Sequence, residues 1–370
     1  MKVLHVLKSD QYAGAENAAI TICSNLKDAY ETAYASKDGK IGWHVRKAGI
    51  PFYPMQRFSF GEIQKVLEEF RPDVIHAHDF SASVFCAVLK RDCYLISHLH
   101  NNPLWIRAWN IRALAYFLAI RRIDRILVAS GEIQQEAVFL DKRKEIFIVG
   151  NPVHTAVIKK RAEEYPQGDF ALLFVGRFTE QKNPQRFIRI VNELAVRMKI
   201  QQKNIFAVML GSGELERTCR QMVQKLGLTE YMELPGFSKN PYPYIKKAGL
   251  LLVTSDWEGY GIAAAEAVSL GTPVLAMAVG GLKTVFRQFP EALCRSEAEM
   301  SRKAQRLLED KTYYRYFQRK MKEKVCIMEA AVYAAGIENI YNGLAARERN
   351  FERCLDSREN RSNGDGIDGA

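Results

Sequence analysis

The sequence predicts an α/β protein made of two doubly wound, Rossmann-like units in series. Short apolar runs rich in branched residues alternate with longer amphipathic stretches as far as residue 345, which is the pattern of parallel βαβ folding. A turn-rich break, Tyr165-Pro166-Gln167-Gly168, divides the alternation into two series. The length of 370 residues suits two domains, at about 100–200 residues each.

In the first series the strand candidates are Val3 to Leu7, Glu31 to Ser36, Pro51 to Met55, Asp73 to His78, Tyr94 to His100 and Arg125 to Ser130. Helical stretches follow most of them. In the second series the candidates are Phe170 to Val175, Ile205 to Leu210, Tyr231 to Leu234, Leu250 to Thr254 and Pro273 to Ala278. Ligands of such sheets bind beyond the carboxyl ends of the strands, so chemistry is sought just after each one. His78, His100, Ser130, Asn151, Arg177, Gly211, Gly236 and Glu258 occupy those positions. Two rims facing across a cleft would bring them together.

Composition removes several classes. Hydrophobic residues make up 48% and aromatics 11% of the chain, the balance of a globular protein and not of a disordered one. The longest apolar stretch, Ala113 to Ile120, is far short of the roughly 20 residues that cross a bilayer. His5 interrupts the apolar run near the amino terminus, and Lys8, Ser9 and Asp10 close it too early for a secretory signal. A cytoplasmic protein is expected. The seven cysteines contain no CxxC, which supports neither a disulfide framework nor a zinc site. The net charge of +11 suits nucleic acid, an anionic membrane surface or anionic small substrates. No helix-turn-helix, zinc-finger or RNP pattern accompanies it, so nucleic acid is not an expected partner.

The densest motif is Ser255-Asp256-Trp257-Glu258-Gly259-Tyr260-Gly261-Ile262-Ala263-Ala264-Ala265-Glu266, which continues to Gly271-Thr272-Pro273 and Gly280-Gly281. It reads as strand, glycine-rich turn, helix, strand, turn. The glycines admit close backbone approach, and the helix start presents free N–H groups and a positive dipole end, which suits phosphate. Glu258 and Glu266 stand two helical turns apart and can each meet hydroxyls of a different polyol. Gly176-Arg177 and Lys182-Asn183-Pro184 follow the first strand of the second series, with proline placed to open a helix. Arg177 supplies a planar fork and Lys182 a mobile point charge, together able to neutralise a diphosphate. Gly211-Ser212-Gly213 repeats the glycine turn after another strand. In the first series, Asp10 to Glu16 is a loop containing Gly14 that does not match GxGxxG, which argues against a dinucleotide site. His76 and His78, and likewise His98 and His100, point to one face in pairs. No third ligand stands at fixed spacing, so an acceptor-site role is preferred to metal. Burial is expected for two of the four.

Taken together, these residues resemble the retaining glycosyltransferase family 4, the "group 1" enzymes of GT-B fold. The resemblance covers residues 1 to about 345. It rests on the E-x7-E pattern of Glu258 and Glu266, on VGRFTEQKN, GSGELE and AGAE, and on Asn151-Pro152-Val153 where the family usually has Asn-Gly-Val. It implies a nucleotide-diphosphate sugar donor, usually a UDP-sugar, and no required cofactor or metal. By that analogy Arg177 and Lys182 take the diphosphate, Glu258 and the backbone of Tyr260 to Ile262 meet the sugar and phosphate, and Glu266 meets the ribose. Gly14, Gly176, Gly211 and Gly213 join the donor site. His100 is the expected catalytic-site histidine with His78 second, and Asn101 lies beside them on the acceptor side. Two departures are Ala13, where the first loop usually has glycine, and Lys283-Thr284, where Pro-Glu is common.

The implied organisation is an acceptor domain over residues 1–155 and a nucleotide-sugar domain over 165–325. A helical stretch from Thr312 to about Leu344, punctuated by Gly336, returns to the first domain through residues 326–345, and 346–370 form a frayed tail. Residues 103–125 carry Trp105, Trp109, Tyr116 and Phe117 with Arg107, Arg112, Arg121, Arg122 and Arg125 against the single acid Asp124. Read as one helix, they suit an anionic membrane surface and leave room for peripheral attachment on its inner face. The expected reaction is sugar transfer with retention to a saccharide or polyprenyl-linked saccharide for surface polysaccharide or glycolipid. The alternatives are a UDP-sugar epimerase of the same fold and a non-catalytic sugar-nucleotide-binding protein.

Overall fold

The computed structural model describes residues 1–140, 144–164, 168–200 and 206–344. The strands of the first domain are β1 (Lys2–Leu7), β2 (Glu31–Lys37), β3 (Phe52–Met55), β4 (Val74–His78), β5 (Tyr94–Leu99), β6 (Arg125–Val128) and β7 (Ile146–Ile148). They form one sheet in the order β3-β2-β1-β4-β5-β6-β7. The second domain holds β8 (Phe170–Val175), β9 (Ala207–Leu210), β10 (Met232–Gly236), β11 (Ala248–Val253), β12 (Val274–Met277) and β13 (Leu293–Cys294), in the order β10-β9-β8-β11-β12-β13. The pairings within both sheets are parallel. Central strands such as β11, whose Leu250, Leu251, Leu252 and Val253 are buried, read as unbroken apolar runs because helices cover both faces.

Each predicted strand is present within a residue or two at its ends, while the start of the Ile205 run and residues 165–167 of the break lie outside the described residues. Two strands were not predicted. β7 and β13 have three and two residues, too few to carry a periodic signal, and each exists through edge pairing to β6 or β12.

Strand order reverses beside β1 and beside β8. Loops leaving the adjacent strands there diverge to opposite faces and open a crevice. One crevice lies at the ends of β1 and β4, the other at the ends of β8 and β11.

The chain's return to the first domain differs in detail from expectation. One helix spans Lys311–Lys324, residues 325–328 are non-helical, and a second helix covers 330–344, with Gly336 inside it. The interruption falls where Val153 N–H donates to Met328 O at 2.8 Å and Ala330 N–H donates to Val153 O at 3.1 Å, so backbone pairing takes the groups that a continuous helix would use. Helix 330–344 then buries Tyr333, Ala334, Ile337, Tyr341 and Leu344 against Val3, Val74, Ile96 and Leu127 of the first sheet. The tail 346–370 lies outside the described residues.

Residues 103–125 are not one helix. Short 3-10 turns at Leu104–Arg107 and Ile120–Arg122 flank a helix at Ile111–Ala119, which Asn110 caps by accepting from Arg112 and Ala113 N–H. Tyr116 is fully buried and bonds Ser97 at 2.7 Å, and Trp105 packs on Phe80. Arg107 pairs with Glu136, Arg122 caps the carbonyls of Val88 and Lys90, and Arg125 is buried beside Glu145. What faces outward is apolar: Trp109, Ile111, Leu114, Phe117 and Leu118, with Arg112 and Arg121 exposed alongside. Among the described residues no helix is long and apolar enough to cross a membrane.

Ile337→Ala empties a fully buried position under the returning helix. It should cost about 2–4 kcal/mol of stability in the first domain, read from urea unfolding; a change within the error of the wild type would show that this helix contributes little.

Candidate active site

The carboxyl ends of the two sheets meet across a cavity of about 740 Å³. Its second-domain wall is built at the β8/β11 crevice. Gly176, Arg177 and Lys182 follow β8, and Glu258 follows β11. Lys182 Nζ lies 2.5 Å from Glu258 Oε2, and Ser255 Oγ donates to the same oxygen at 3.1 Å. The carboxylate thereby holds the lysine at the cavity wall until an anion competes for it. The Arg177 guanidinium is exposed at the cavity and bound only weakly, to Gln181 Oε1 at 3.5 Å. Gln181 in turn donates to Trp257 O, tying the two loops together.

Two helix starts converge on this wall. The helix Ile262–Leu270 begins at Gly261, whose φ of 99° a side chain would disfavour and which offers no cap. The helix Gly14–Leu26 of the first domain comes so close that a Cβ on Gly14 would stand 2.8 Å from Ile262 Cδ1. Free N–H groups and positive dipole ends from both domains therefore face one space. With Arg177 and Lys182 beside them, that space is built for a multiply charged anion.

Deeper along the same helix lies Glu266. Its Oε1 accepts from Tyr242 Oη at 3.0 Å, and Arg161 sits over the Tyr242 ring at 5.2 Å. Burial raises the Glu266 carboxyl to about 7, against the opposing pull of the Tyr242 hydrogen bond and of Arg161. It is a carboxylate poised to ionise when hydroxyl donors arrive.

The first-domain wall carries Gly14, Glu16, His100, Asn101 and Asn151. His100 Nδ1 and Asn151 Oδ1 are 3.1 Å apart. Burial pulls His100 down to about 4, so the ring is neutral at pH 7. The domains touch here through backbone: a Cβ on Gly259 would stand 1.9 Å from His100 O, so no other residue permits the approach. Thr284, one of the two departures noted above, donates to Glu132 across the cleft at 2.7 Å.

Arg177, Lys182, Glu258, Glu266, Gly176, Tyr260, Gly261, Ile262, Gly14, His100 and Asn101 are all brought to this cavity. Three expectations are corrected. His78, placed on the acceptor side, is fully buried behind His100 and has no surface in the cavity. Gly211 and Gly213, placed in the donor site, instead pack under the β8 loop, where a Cβ would fall 1.8 Å from Gly176 O and 2.5 Å from Phe178 O. They shape the loop and do not line the cavity. Of the four histidines, His76, His78 and His98 are fully buried, one more than expected; Ser130 and Gly236, also at strand ends, do not line the cavity. The sequence reading missed Glu16, Arg161 and Tyr242. Only Glu16 carried a local signal, at the third position of its helix, where its carboxylate accepts from Ala13 N–H at 3.1 Å.

Two parallel α/β domains that meet over a cleft at their strand-order reversals define the GT-B architecture of glycosyltransferases. Residues 139–324 match the family "Glycosyl transferases group 1", and residues 14–157 match "Glycosyltransferase Family 4". The chain belongs to the glycosyl transferases group 1 family. Among its relatives, an uncharacterised glycosyltransferase of Methanocaldococcus jannaschii is 27% identical over 58% of this chain and 57% of its own length, so the match spans little more than half of that relative. The lipopolysaccharide core biosynthesis glycosyltransferase LpsD of Rhizobium meliloti is 23% identical over 84% of this chain and 89% of its own. The crystal structure of Anabaena HepE in complex with UDP superposes with a TM-score of 0.79 at 16% identity, covering 93% of this chain and all of that one. The same Anabaena protein with UDP-glucose gives 0.78 at 17% identity, with the same coverage.

Proposed function

We propose that the protein is a retaining hexosyltransferase that moves a sugar from a UDP-sugar to a hydroxyl of a lipid-linked saccharide during surface polysaccharide or glycolipid assembly. The observation that carries this reading is the convergence of two helix starts, Arg177 and Lys182 on one cavity that Glu258 and Glu266 also line. The diphosphate draws Lys182 from Glu258 and is neutralised by Arg177 and the helix N–H groups. Freed, Glu258 accepts from hydroxyls of the transferred sugar, while Glu266 accepts from the ribose. The bond from the sugar's anomeric carbon to the diphosphate oxygen breaks, the acceptor oxygen attacks the same face, and its proton passes to the departing diphosphate. Stabilisation of the developing negative charge supplies most of the rate, on the order of several kcal/mol. The UDP and UDP-glucose complexes of the Anabaena neighbour support the choice of donor, and the lipopolysaccharide relative supports a surface saccharide as acceptor.

The outward apolar side chains of 109–118 support a membrane-bound acceptor. Trp109, Ile111 and Leu118 are 58%, 80% and 59% exposed, more apolar surface than one short helix leaves in water without a partner. The chain reaches Trp109 and Ile111 within ten residues of Asn101, so a lipid-anchored acceptor lying on this face would present its saccharide near the cleft. In this reading the enzyme works in the cytoplasm, at the inner face of the membrane.

Incubation with labelled UDP-sugars, with and without a lipid-linked acceptor, tests the reaction. Transfer with retained anomeric configuration is expected, lost in Glu258→Ala with unchanged circular dichroism; epimer formation without acceptor, or a glycosyl-enzyme adduct by mass spectrometry, would overturn it. The Glu266 carboxyl gives a pH signature. Its raised value means that ionisation costs the unliganded fold as pH climbs from the ordinary 4.5 to about 7, and ribose hydroxyls relieve that cost. Affinity for UDP-glucose should therefore rise through pH 7 and level off above it, whereas Glu266→Gln should show weaker, pH-independent binding. Sedimentation with anionic vesicles tests the surface: Ile111→Glu/Leu118→Glu should stay in the supernatant, and equal partitioning with the wild type would remove the membrane assignment.

A further inference from the structure

Five of the chain's seven histidines form one layer through the first sheet, four of them fully buried and His100 half-buried at the cavity. His5 stands on β1, His76 and His78 on β4, His98 on β5 and His100 just past its end. Their rings stack at centroid separations from 3.9 to 5.3 Å. The ring nitrogens resolve into two separate hydrogen-bonded chains. One runs from Asn151 Oδ1 to His100 Nδ1 at 3.1 Å, from His100 Nε2 to His78 Nδ1 at 2.9 Å, and from His78 Nε2 to His5 Nδ1 at 2.9 Å. It ends at His5 Nε2, buried with no partner among the described residues. The other runs from Tyr341 of helix 330–344 to His76 and on to His98, ending at His98 Nε2, also buried with no partner.

Burial keeps all five rings neutral, His5 falling to about 3, His100 to about 4 and the other three well below the usual range. A neutral imidazole has one N–H and one acceptor nitrogen. Asn151 offers an oxygen, so the proton of His100 is on Nδ1 and its Nε2 must accept. His78 then donates from Nδ1 and accepts at Nε2, and His5 donates from Nδ1, which leaves its own Nε2 unprotonated. The three tautomers are therefore one variable: none can change without the others. His5, His76 and His78, and likewise His78, His98 and His100, bring ring nitrogens within 4.8 Å of one another, but the hydrogen-bonded contacts as they stand do not suit a metal. Two nitrogens on one tetrahedral zinc at about 2.0–2.1 Å each stand roughly 3.3 Å or more apart, whereas the bonded pairs here are 2.9 Å apart.

We infer that Asn151 and His78, one at each ring nitrogen, lock His100 as its Nδ1–H tautomer, with His78 and His5 behind it as positioning residues, so that a sugar hydroxyl entering between His100 and Asn151 in place of their direct bond meets a donor at Nδ1 and an acceptor at Oδ1. The inference rests on the transferase reading for its consequence, but not for the tautomer itself. A hydroxyl seated there accepts from the ring and donates to the amide, an orientation that the opposite tautomer reverses into two competing acceptors.

Selective 15N-histidine labelling of the full chain, without ligand, reads the tautomer directly, with His100 assigned by loss of its signals in His100→Asn. A neutral Nδ1–H ring is expected for His100 in the wild type. A neutral Nε2–H ring, a cationic ring, or stoichiometric loss of these signals on adding Zn2+ overturns the lock. In His78→Leu, His100 should become a tautomer mixture and turnover should fall about tenfold, the size of one lost buried hydrogen bond, with donor KM unchanged. His78→Asn, which keeps a donor near the position of Nδ1, should restore most of both. Equal losses in the Leu and Asn variants would reduce His78 to packing and overturn its positioning role, and the wild-type spectrum decides the lock even if His78→Leu does not fold. Absence of sugar transfer from any donor defeats the transferase reading while leaving the tautomer result to stand or fall by the spectrum.

Discussion

The two domains are held at contact by backbone meeting backbone. Where Gly259 lies against the His100 carbonyl, a single added carbon would sit 1.9 Å from the oxygen, deep inside van der Waals contact. Because the turn after β11 can settle there, Gly261 can start its helix beside Gly14, and the two helix starts share one space. Had a side chain intervened, the positive ends would face separate solvent, where screening over about 10 Å largely removes their field. The anion-binding character of the cleft thus depends on a steric permission granted at one residue.

The two walls of the cleft solve their electrostatics in opposite ways. The second domain carries its charges as pairs that a ligand can exchange: Lys182 with Glu258, and a reluctant carboxyl at Glu266 held by Tyr242. The first domain carries almost none, because burial strips the histidine layer of charge and leaves tautomers as its only variable. A multiply charged donor and a neutral hydroxyl acceptor match this division. The exposed apolar side chains of 109–118 extend it outward, since the arginines that would have made that surface basic are mostly spent on Glu136, Glu145 and the carbonyls of Val88 and Lys90. The net charge of +11 is therefore a poor guide to this surface and a better one to the cleft.

Most of the fold and the second-domain wall of the candidate site could be read from local pattern. Strands long enough to show branched runs were found, and those of two or three residues were not, since edge pairing alone creates them. Arg177, Lys182, Glu258 and Glu266 were legible because a glycine turn, a strand end or a helix repeat fixes each relative to its neighbours. His78 was misplaced for the reason that made it visible: the alternation that sets it on the face of His76 says nothing about which strand end lies in front. Arg161 and Tyr242 reach Glu266 from distant elements, and no spacing in the chain relates them.

What the sequence determined by itself is therefore periodicity and punctuation: parallel α/β units, the glycine turns, the proline that opens a helix, and the charges attached to those turns. Each depends on residues close enough along the chain to constrain one another's backbone. Strand order, and with it the crevices at β1/β4 and β8/β11, came only with the tertiary structure. So did the seating of Gly259 on His100, the return of helix 330–344 and the joining of three histidines from three strands to Asn151. These are contacts between segments tens to hundreds of residues apart, and packing decides which of many locally equivalent partners meet.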